Sequence, residues 1–296
     1  MKKIISIIIF LAICIDGFSE NREEMEQWIR HLKLQSGKVT LQGGSVTIDL
    51  PDDYRFIGET DAKKILTDLW NNHPEKSVIG MIVQKGFLTD ESGQWVVIIK
   101  DNPTGYISDK DASSIDYNDM MKGMKEKMPE LNKELKRKGY RTFDIIGWAE
   151  QPYYDESSHK LYWAKQIRAQ DDDADTLNYE VRILGRKNIL ELTAISNLNQ
   201  FPDVKDKMPS ILQSVNYEQG NRYVDFDPKI DKTAGYGLAA LVAGGVAAKA
   251  GLFKGLLVAL LAFKKVIIGA VIVCLAFLKN LWDKFIGLFR GKKKLE

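Results

Sequence analysis

The chain has 296 residues, 45% of them hydrophobic and 28% charged, which is enough to form one large or two modest folded domains. The net charge of +2 is uneven: residues 233–296 carry ten basic and two acidic side chains, a net +8, which leaves −6 for residues 1–232. An acidic main region is a poor partner for nucleic acid, because that binding depends on neutralising phosphates. Between the two cysteines, Cys14 and Cys274, the sequence offers no disulfide, thiolate metal site or cysteine nucleophile.

The first 19 residues have the organisation of a signal peptide. Two lysines precede an apolar run from Ile4 to Ile15, and the small residues Gly17 and Ser19 follow at the positions that a cleavage site needs. The apolar run is short for a membrane-spanning helix, which favours a cleaved signal peptide; an uncleaved anchor is the alternative. We therefore predict a signal peptide over residues 1–19 and export of the following region across a bacterial cytoplasmic membrane into the periplasm.

The next elements are short. Apolar residues at helical spacing predict a helix over residues 22–34, and the alternation in GKVTLQGGSVTIDL predicts one or two strands. Thr60 or Asp61 is placed to cap the short helix TDAKKILTDLW. The runs SVIGMIVQ and QWVVIIK, separated by a polar connector, predict an antiparallel pair of strands.

Residues 116–138 give the clearest helical pattern, and Gly139 suits the position that follows a helix. Pro129 lies in the middle and would break or kink the helix, so two helices are an alternative. Four strand segments follow, namely TFDIIGWA, HKLYWAKQI, LNYEVRILG and NILELTAIS. A last short helix is interrupted or begun at Pro209.

This order of strands, helix, strands and helix predicts the fold class. Short links between consecutive strands favour an α+β domain with a mainly antiparallel sheet and packed helices over alternating βαβ units. We assign this exported domain to residues 20–232, with a core of about 36–225. A C-terminal transmembrane or amphipathic helical region is expected to follow it.

From Thr233 to Leu278 the chain has no acidic residue, and four lysines interrupt its apolar residues. Lysines near the end of a first window, 233–254, can extend to the membrane surface. A lysine pair near the middle of a second window, 255–278, would cost about 2.5–3.5 kcal/mol at the bilayer centre. We predict a membrane anchor over 233–278 and a cytoplasmic basic amphipathic tail over 279–296; a peripheral amphipathic region and a buried apolar hairpin are the alternatives. Small residues suited to helix contact in lipid, including contact with another membrane protein, are Ala240, Gly244, Ala248, Gly251 and Gly255.

The stretch GYGLAA, residues 235–240, fits the G-x-G-x-x-A form of the dinucleotide fingerprint. That loop needs a preceding buried strand and an acidic residue about 20 positions further on. The polar DFDPKIDKT precedes it here, and the next acid is Asp283. We attribute the match to a small-residue helix face and predict no cofactor.

Motifs for catalysis or metal binding are sparse. His31, His73 and His159 lack a second ligand at a useful spacing, so no metal site is predicted. Asp109 and Asp111 resemble the start of an EF-hand loop, but the glycine and closing glutamate are missing, and a solvated loop with a helix N-cap explains them better. The methionines of the long helix are interpreted as core residues and not as copper ligands.

The segment GWAEQPYYDESSHKLYWAK, residues 147–165, is the densest in residues suited to binding. Its aromatic side chains beside acids and a histidine suit recognition of a glycan, peptide or polymer, and cross-strand packing of the aromatics is the alternative. Two arginines near a strand end either pair with acids at the surface or bind an anionic group. The candidate binding residues are Trp148, Tyr153, Tyr154, Asp155, His159, Tyr162, Trp163, Asp109, Asp111, Arg182 and Arg186.

Together, the motifs GYISDKDASSIDY, GWAEQPYYDESSHKLYWAK, LNYEVRILGR and YVDFDPKIDKTAGYGLAALVAGGVAAKAG resemble a bacterial family of uncharacterised membrane-anchored proteins, a domain-of-unknown-function family. The resemblance implies an exported domain with a C-terminal anchor and supplies no activity. The sequence thus predicts a membrane-anchored envelope protein that acts as a binding or interaction module, with the lipid bilayer as a partner. The alternative is an envelope hydrolase that uses carboxylates among Asp109, Asp111, Asp155 and Glu156 with His159.

Overall fold

The computed structural model describes residues 27–87, 94–170 and 174–243. The predictions for the signal peptide, for anchor residues 244–278 and for the basic tail lie outside the described residues. The strands are β1 (Leu34–Gln35), β2 (Lys38–Leu41), β3 (Val46–Asp49), β4 (Tyr54–Gly58), β5 (Val78–Gln84), β6 (Val96–Asn102), β7 (Phe143–Asp155), β8 (Lys160–Ala169), β9 (Asp175–Leu184), β10 (Ile189–Asn197) and β11 (Val215–Tyr217). The helices are α1 (Glu59–Lys64, continued by a π-helical turn over Ile65–Leu69), α2 (Tyr117–Arg137), α3 (Phe201–Ser214) and α4 (Leu238–Val242).

Eight strands form one antiparallel sheet in the order β1-β4-β5-β6-β10-β9-β8-β7. Strands that follow each other in the sequence are neighbours in β5–β6 and throughout β7–β10, because the links between them are too short for a crossover. The prediction of an α+β fold with a mostly antiparallel sheet is therefore confirmed. A second sheet, β11-β3-β2, accounts for the alternating segment before Pro51.

One face of the large sheet packs on the small sheet and on α3. Strand alternation turns every second side chain of β6, β9 and β10 toward this core, while the residues between them turn to the opposite face. α3 contributes side chains at helical spacing that are fully buried. The core includes Val46, Ile48, Val97, Ile99, Val181, Leu190, Leu192, Val204, Met208 and Ile211.

The opposite face of the sheet carries two smaller apolar clusters. α1 packs on β4, β5 and β6, where Ile57, Met81 and Ile98 meet its buried side chains. The segment after β6 packs with α4 on β8, β9 and β10, around Leu161, Trp163, Leu184 and Ile189. α2 contacts the edge strand β7, where the Asn132 side chain donates to the Phe143 carbonyl (2.8 Å) and accepts from the Phe143 N–H (3.1 Å).

Several elements differ in detail from their predictions. Helical residues before β1 are described at 27–30 only, and Leu34, expected in that helix, pairs with Ile57 in the sheet. The N-cap of α1 is Gly58, which gives no side-chain capping bond, and not Thr60 or Asp61. α2 runs without a break through Pro129, since this proline is exposed and water can satisfy the carbonyl group that loses its helical partner. α3 likewise contains Pro209.

Residues 231–243, here named the C-terminal strap, pack on the domain. The Tyr106 N–H donates to the Lys232 carbonyl (2.9 Å), and the Ala234 N–H donates to the Tyr106 carbonyl (2.8 Å), which forms a parallel bridge. α4 then buries Leu238 and Leu241 in the cluster around Trp163. The start of the region predicted as an anchor is thus part of the folded domain, and the chain divides into compact units after Ala243.

Within the described residues, we find no helix that is both long enough and apolar enough to cross a membrane.

Candidate functional site

The turn between β7 and β8 is organised by Asp155. Its carboxylate accepts hydrogen bonds from the Ser157 N–H (3.0 Å), the Ser157 hydroxyl (2.7 Å) and the Ser158 hydroxyl (2.6 Å). The bonds from Ser158 and Ser157 lower the pKa of Asp155 to about 2. A carboxylate that is ionised and occupied by local donors holds the turn, and it is unsuited to proton transfer near neutral pH.

Three of the candidate residues meet beside this turn. The Tyr154 hydroxyl donates to Asp109 Oδ2 (2.9 Å) and lies 3.2 Å from His159 Nδ1. The single hydrogen of the Tyr154 phenol points to Asp109. The Tyr154 oxygen can therefore only accept from His159, which assigns the Nδ1–H as the donor. Burial and the bond to Asp109 raise the pKa of Tyr154. We name Asp109, Tyr154 and His159 the hairpin relay.

Aromatic side chains that were not predicted as site residues cover the hairpin relay. The Tyr223 ring packs 4.3 Å from the His159 ring, and its hydroxyl donates to the Ile107 carbonyl (2.8 Å). Tyr106 stacks on Tyr223 at 4.6 Å and on Phe226 at 3.8 Å. Burial raises the pKa of Tyr223. These rings come from two segments that are distant from the hairpin in the sequence, so no spacing of residues groups them with it.

Asp111 serves a different purpose from its neighbour Asp109. Its carboxylate oxygens accept hydrogen bonds from the N–H groups of Leu238 (3.0 Å) and Ala239 (3.2 Å), the first residues of α4. A carboxylate at a helix start satisfies N–H groups that have no partner within the helix. Asp111 is half-buried and caps α4, whereas the helix N-cap expected in this stretch is Asp116, which accepts from the N–H groups of Asn118 and Asp119 at the start of α2.

Tyr153 and Tyr162, here named the tyrosine platform, lie on the other face of the hairpin. Their rings stack 4.8 Å apart with an interplanar angle of 7°, and Tyr153 remains 48% exposed. Burial raises the pKa of Tyr162 to about 12. Beside the platform, Lys205 pairs with Glu150 (2.6 Å), whose second carboxylate oxygen is buried without a hydrogen-bond partner. The two rings therefore pack across the strands, and one of them is also accessible to a ligand.

The two tryptophans of the segment differ in burial. Trp163 is a core residue, 1% exposed, and alternation along β8 explains this, since Tyr162 and Trp163 face opposite sides of the sheet. Trp148 is partly buried against the same cluster, and its ring nitrogen donates to the Tyr117 carbonyl of α2 (3.1 Å). Both tryptophans contribute to packing in the fold.

Arg182 belongs to a buried charge network on the sheet and does not pair at the surface as expected. It is 7% exposed and contacts Glu180 (2.7 Å) and Glu191 (3.1 Å), with its guanidinium 4.8 Å above the Trp163 ring. Lys165 pairs with Glu180 from β8 (2.6 Å). Burial alone would raise the pKa of Glu180, but the charges of Lys165 and Arg182 outweigh it and hold that pKa at about 2.

Arg186 binds the strap and not an external anion. It donates to Asp231 (2.6 Å), whose side chain is fully buried, and to the Gly220 carbonyl (3.1 Å). Of the small residues predicted to pack in lipid, Ala240 is buried within the domain, and Gly244, Ala248, Gly251 and Gly255 lie outside the described residues. In the part of the chain that the structure describes, no group of three His, Cys, Asp or Glu side chains could hold a metal ion.

Residues 33–276 match the family described as "Protein of unknown function (DUF2167)". The chain belongs to this family. Membership confirms the resemblance to an uncharacterised family that the motifs indicated, and it assigns no activity. A comparison with curated proteins found no match.

Three solved structures are distantly similar to this chain. The solution structure of cyanobacterial PsbP (CyanoP) from Synechocystis sp. PCC 6803 is 12% identical, covers 63% of this chain and 94% of its own, and has a TM-score of 0.36. The Ran-binding protein Mog1p of Saccharomyces cerevisiae is 10% identical, covers 63% and 96%, and has a TM-score of 0.32. A crystal structure from Bacteroides thetaiotaomicron VPI-5482 is 9% identical, covers 62% and 49%, and has a TM-score of 0.28.

Proposed function

We propose that this chain is a non-catalytic binding module of the bacterial cell envelope, held at the cytoplasmic membrane, and that the tyrosine platform recognises a glycan. The observation that carries the proposal is the exposed Tyr153 ring, held rigid by its stack on Tyr162. A fixed, planar aromatic surface binds the apolar face of a sugar at little cost in conformational entropy.

Polar groups beside the platform suit hydroxyl-bearing ligands. Lys205 offers ammonium donors at the surface, and its ion pair with Glu150 holds the ammonium group beside the platform. A few placed donors and acceptors next to an aromatic surface can fix the orientation of a sugar ring. A peptide partner would need a groove or a free strand edge, whereas α2 already bonds the edge of β7 at Phe143.

The membrane location is supported by the sequence at both ends. The first 19 residues have the pattern of a signal peptide, and the acid-free stretch that ends at Leu278 is followed by a basic tail. In this proposal the described domain lies on the periplasmic side, the basic tail lies in the cytoplasm, and part of residues 244–278 anchors the chain.

The hydrolase alternative has the hairpin relay in its favour, because a carboxylate, a phenol and an imidazole are hydrogen-bonded in series. Two of the four carboxylates it requires are already engaged, Asp111 by the backbone of α4 and Asp155 by the turn serines. Glycoside hydrolysis, for instance, needs two carboxyl groups that face one bond. The observed bonds therefore favour a binding role.

Co-sedimentation of the purified full chain in detergent with isolated cell-wall sacculi tests the proposal. We expect the wild-type chain to bind and Tyr153→Ala to bind about fivefold more weakly, since an aromatic contact contributes about 1 kcal/mol. Tyr140→Ala is the matched control, because this half-buried tyrosine packs on His73, away from the platform. No binding by the wild type, or equal binding by Tyr153→Ala, would contradict the proposal.

A further inference from the structure

One end of the domain combines exposed aliphatic side chains with lysines. This basal end consists of the β9–β10 turn, residues 185–188, and the segment 218–232 that leads into α4. Val224 and Ile230 are 67% and 73% exposed, which makes them the most exposed large hydrophobic residues in the described ranges. The two side chains lie six positions apart in one short segment, and both present aliphatic surface to solvent.

The backbone that presents these two residues is firmly held. Asp225 accepts hydrogen bonds from the Gly220 N–H (2.8 Å) and from the Arg222 side chain (2.6 and 2.9 Å). Asp231 accepts from Arg186 (2.6 Å) and from the Asp227 N–H (2.8 Å). Because the segment is fixed on both sides of Val224 and Ile230, their exposure is a property of the folded domain.

Lysines without a carboxylate partner flank the aliphatic residues. Lys229 and Lys232 are exposed and form no ion pair within the described residues, whereas Asp225 and Asp231 are engaged by arginines. Lys187, also at the basal end, is 64% exposed and reaches Asp231 only at 3.5 Å. The basal end carries five basic and four acidic side chains, a net +1, and the ammonium groups of Lys229 and Lys232 are free to meet anionic headgroups.

The chain continues from this end into its lysine-rich apolar region. The strap is bonded to the domain at Tyr106 and Asp111 and buried through Val242, and the acid-free sequence runs on from Gly244 to Leu278.

The geometry points to the basal end as a surface that rests on the lipid bilayer, with Val224 and Ile230 in the headgroup region and Lys229 and Lys232 on anionic lipid. Aliphatic side chains flanked by lysines bind in this manner at membrane interfaces, about 5–10 Å into the boundary. The inference rests on the membrane location in the proposed function and adds the part of the domain that makes the contact.

Fluorescence quenching in vesicles tests this contact on the full chain. In a Cys14→Ser, Cys274→Ser background, a polarity-sensitive probe is attached to Ile230→Cys or, as the control, to Lys136→Cys. Lys136 is exposed near the C-terminus of α2, by the start of β7, and the basal end lies at the other end of that strand, about 40 Å away. The vesicles contain phosphatidylcholine with phosphatidylglycerol and a headgroup-level quencher lipid.

We expect quenching of the probe at position 230 and not at position 136. Adding Lys229→Gln and Lys232→Gln to the labelled chain should lower the ratio of quenched to unquenched probe about fivefold per lysine. Replacing phosphatidylglycerol by phosphatidylcholine in the vesicles should also lower this ratio, because it removes the anionic headgroups. Equal quenching at both positions, or none at 230, overturns the inference. Flotation of the vesicles separates the two proposals: a chain that fails to float contradicts the membrane location, while a floating chain without quenching at 230 contradicts only the basal contact.

Discussion

The Asp111 carboxylate accepts a hydrogen bond from the Leu238 N–H at 3.0 Å, although the two residues are 127 positions apart in the sequence. The bond ties the beginning of the region predicted as an anchor to the loop before α2. It is accompanied by the bond from Ala239 and by the bridge at Tyr106, so the strap is a structural part of the domain.

Gly237→Ala should loosen the strap. A Cβ at this position would lie 2.5–2.6 Å from the Asp111 carboxylate, so the capping bonds would have to open. Loss of a helix cap costs about 1 kcal/mol, which predicts about fivefold faster hydrogen exchange at Leu238 and Ala239. Gly235→Ala is the control, because a Cβ there meets no atom within 4 Å. Equal exchange rates in the two variants would show that the Asp111 carboxylate does not exclude a side chain at position 237.

Arg182→Ala should be strongly destabilising. It removes the cation between buried Glu180 and half-buried Glu191, which keep only Lys165 and Asn102 as partners, and it should cost about 3 kcal/mol in unfolding free energy. Arg222→Ala removes an exposed pair with Asp225, which water and salt screen, and should cost much less. Urea unfolding of both variants measures the difference, and similar midpoints would argue against a tightly held buried network.

The same network should make stability depend on pH through Glu180. Its pKa in the folded protein is about 2, below its ordinary value of 4.5, so its stabilising contribution is complete above that value and is lost as the pH falls toward 2. Urea unfolding of wild type and Glu180→Gln between pH 6 and pH 2 should give curves that converge on acidification. Glu130→Gln, an exposed position on α2, should give a curve parallel to that of the wild type. A constant difference between wild type and Glu180→Gln would contradict the assignment.

Tyr154→Phe should change the state of His159. In the hairpin relay, Nδ1 of His159 carries the proton because the Tyr154 hydroxyl hydrogen points to Asp109. Nitrogen chemical shifts of the imidazole above its titration should report the Nδ1-protonated form in wild type and a shift toward the Nε2-protonated form in the variant. Tyr140→Phe should leave the spectrum unchanged, and an Nε2-protonated wild type would contradict the described relay.

Asn132→Ala should free the edge of β7. The amide of Asn132 bonds to both backbone groups of Phe143 as a neighbouring strand would. Without it, the Phe143 amide should lose protection from hydrogen exchange, and the chain should self-associate more at high concentration because an edge strand is left unpaired. Lys133→Ala, at an exposed neighbour on α2, is the control for both readouts.

The sheet could be predicted because its information is local. Runs of alternating β-branched residues specify β5–β10, and short polar links specify the neighbours within β5–β6 and β7–β10. The pairing of β6 with β10 joins distant segments and does not follow from the links. The break considered at Pro129 does not occur: this position lies on the exposed side of α2, where water can satisfy the carbonyl group that the proline leaves without a donor.

The sites were harder to predict because they depend on contacts between distant segments. Tyr153 and Trp163 are both aromatic residues of one hairpin, yet only the face of the sheet decides that one is exposed and the other buried. Leu238 and Leu241 read equally well as membrane or core residues, since a short apolar run has no feature that separates the two. The charge network around Glu180 and Arg182 could not be predicted, because only the register of β8, β9 and β10 brings its members together.

The side of the membrane on which each part lies tests the account most directly. In cells that express the full chain in a Cys14→Ser, Cys274→Ser background, a membrane-impermeant maleimide is applied to Lys136→Cys in the domain and to Lys294→Cys in the basic tail, after permeabilisation of any outer membrane. An envelope module anchored through its C-terminal region predicts labelling at position 136 in intact cells and at position 294 only after lysis. Labelling of both in intact cells, or protection of position 136 until lysis, would contradict that account.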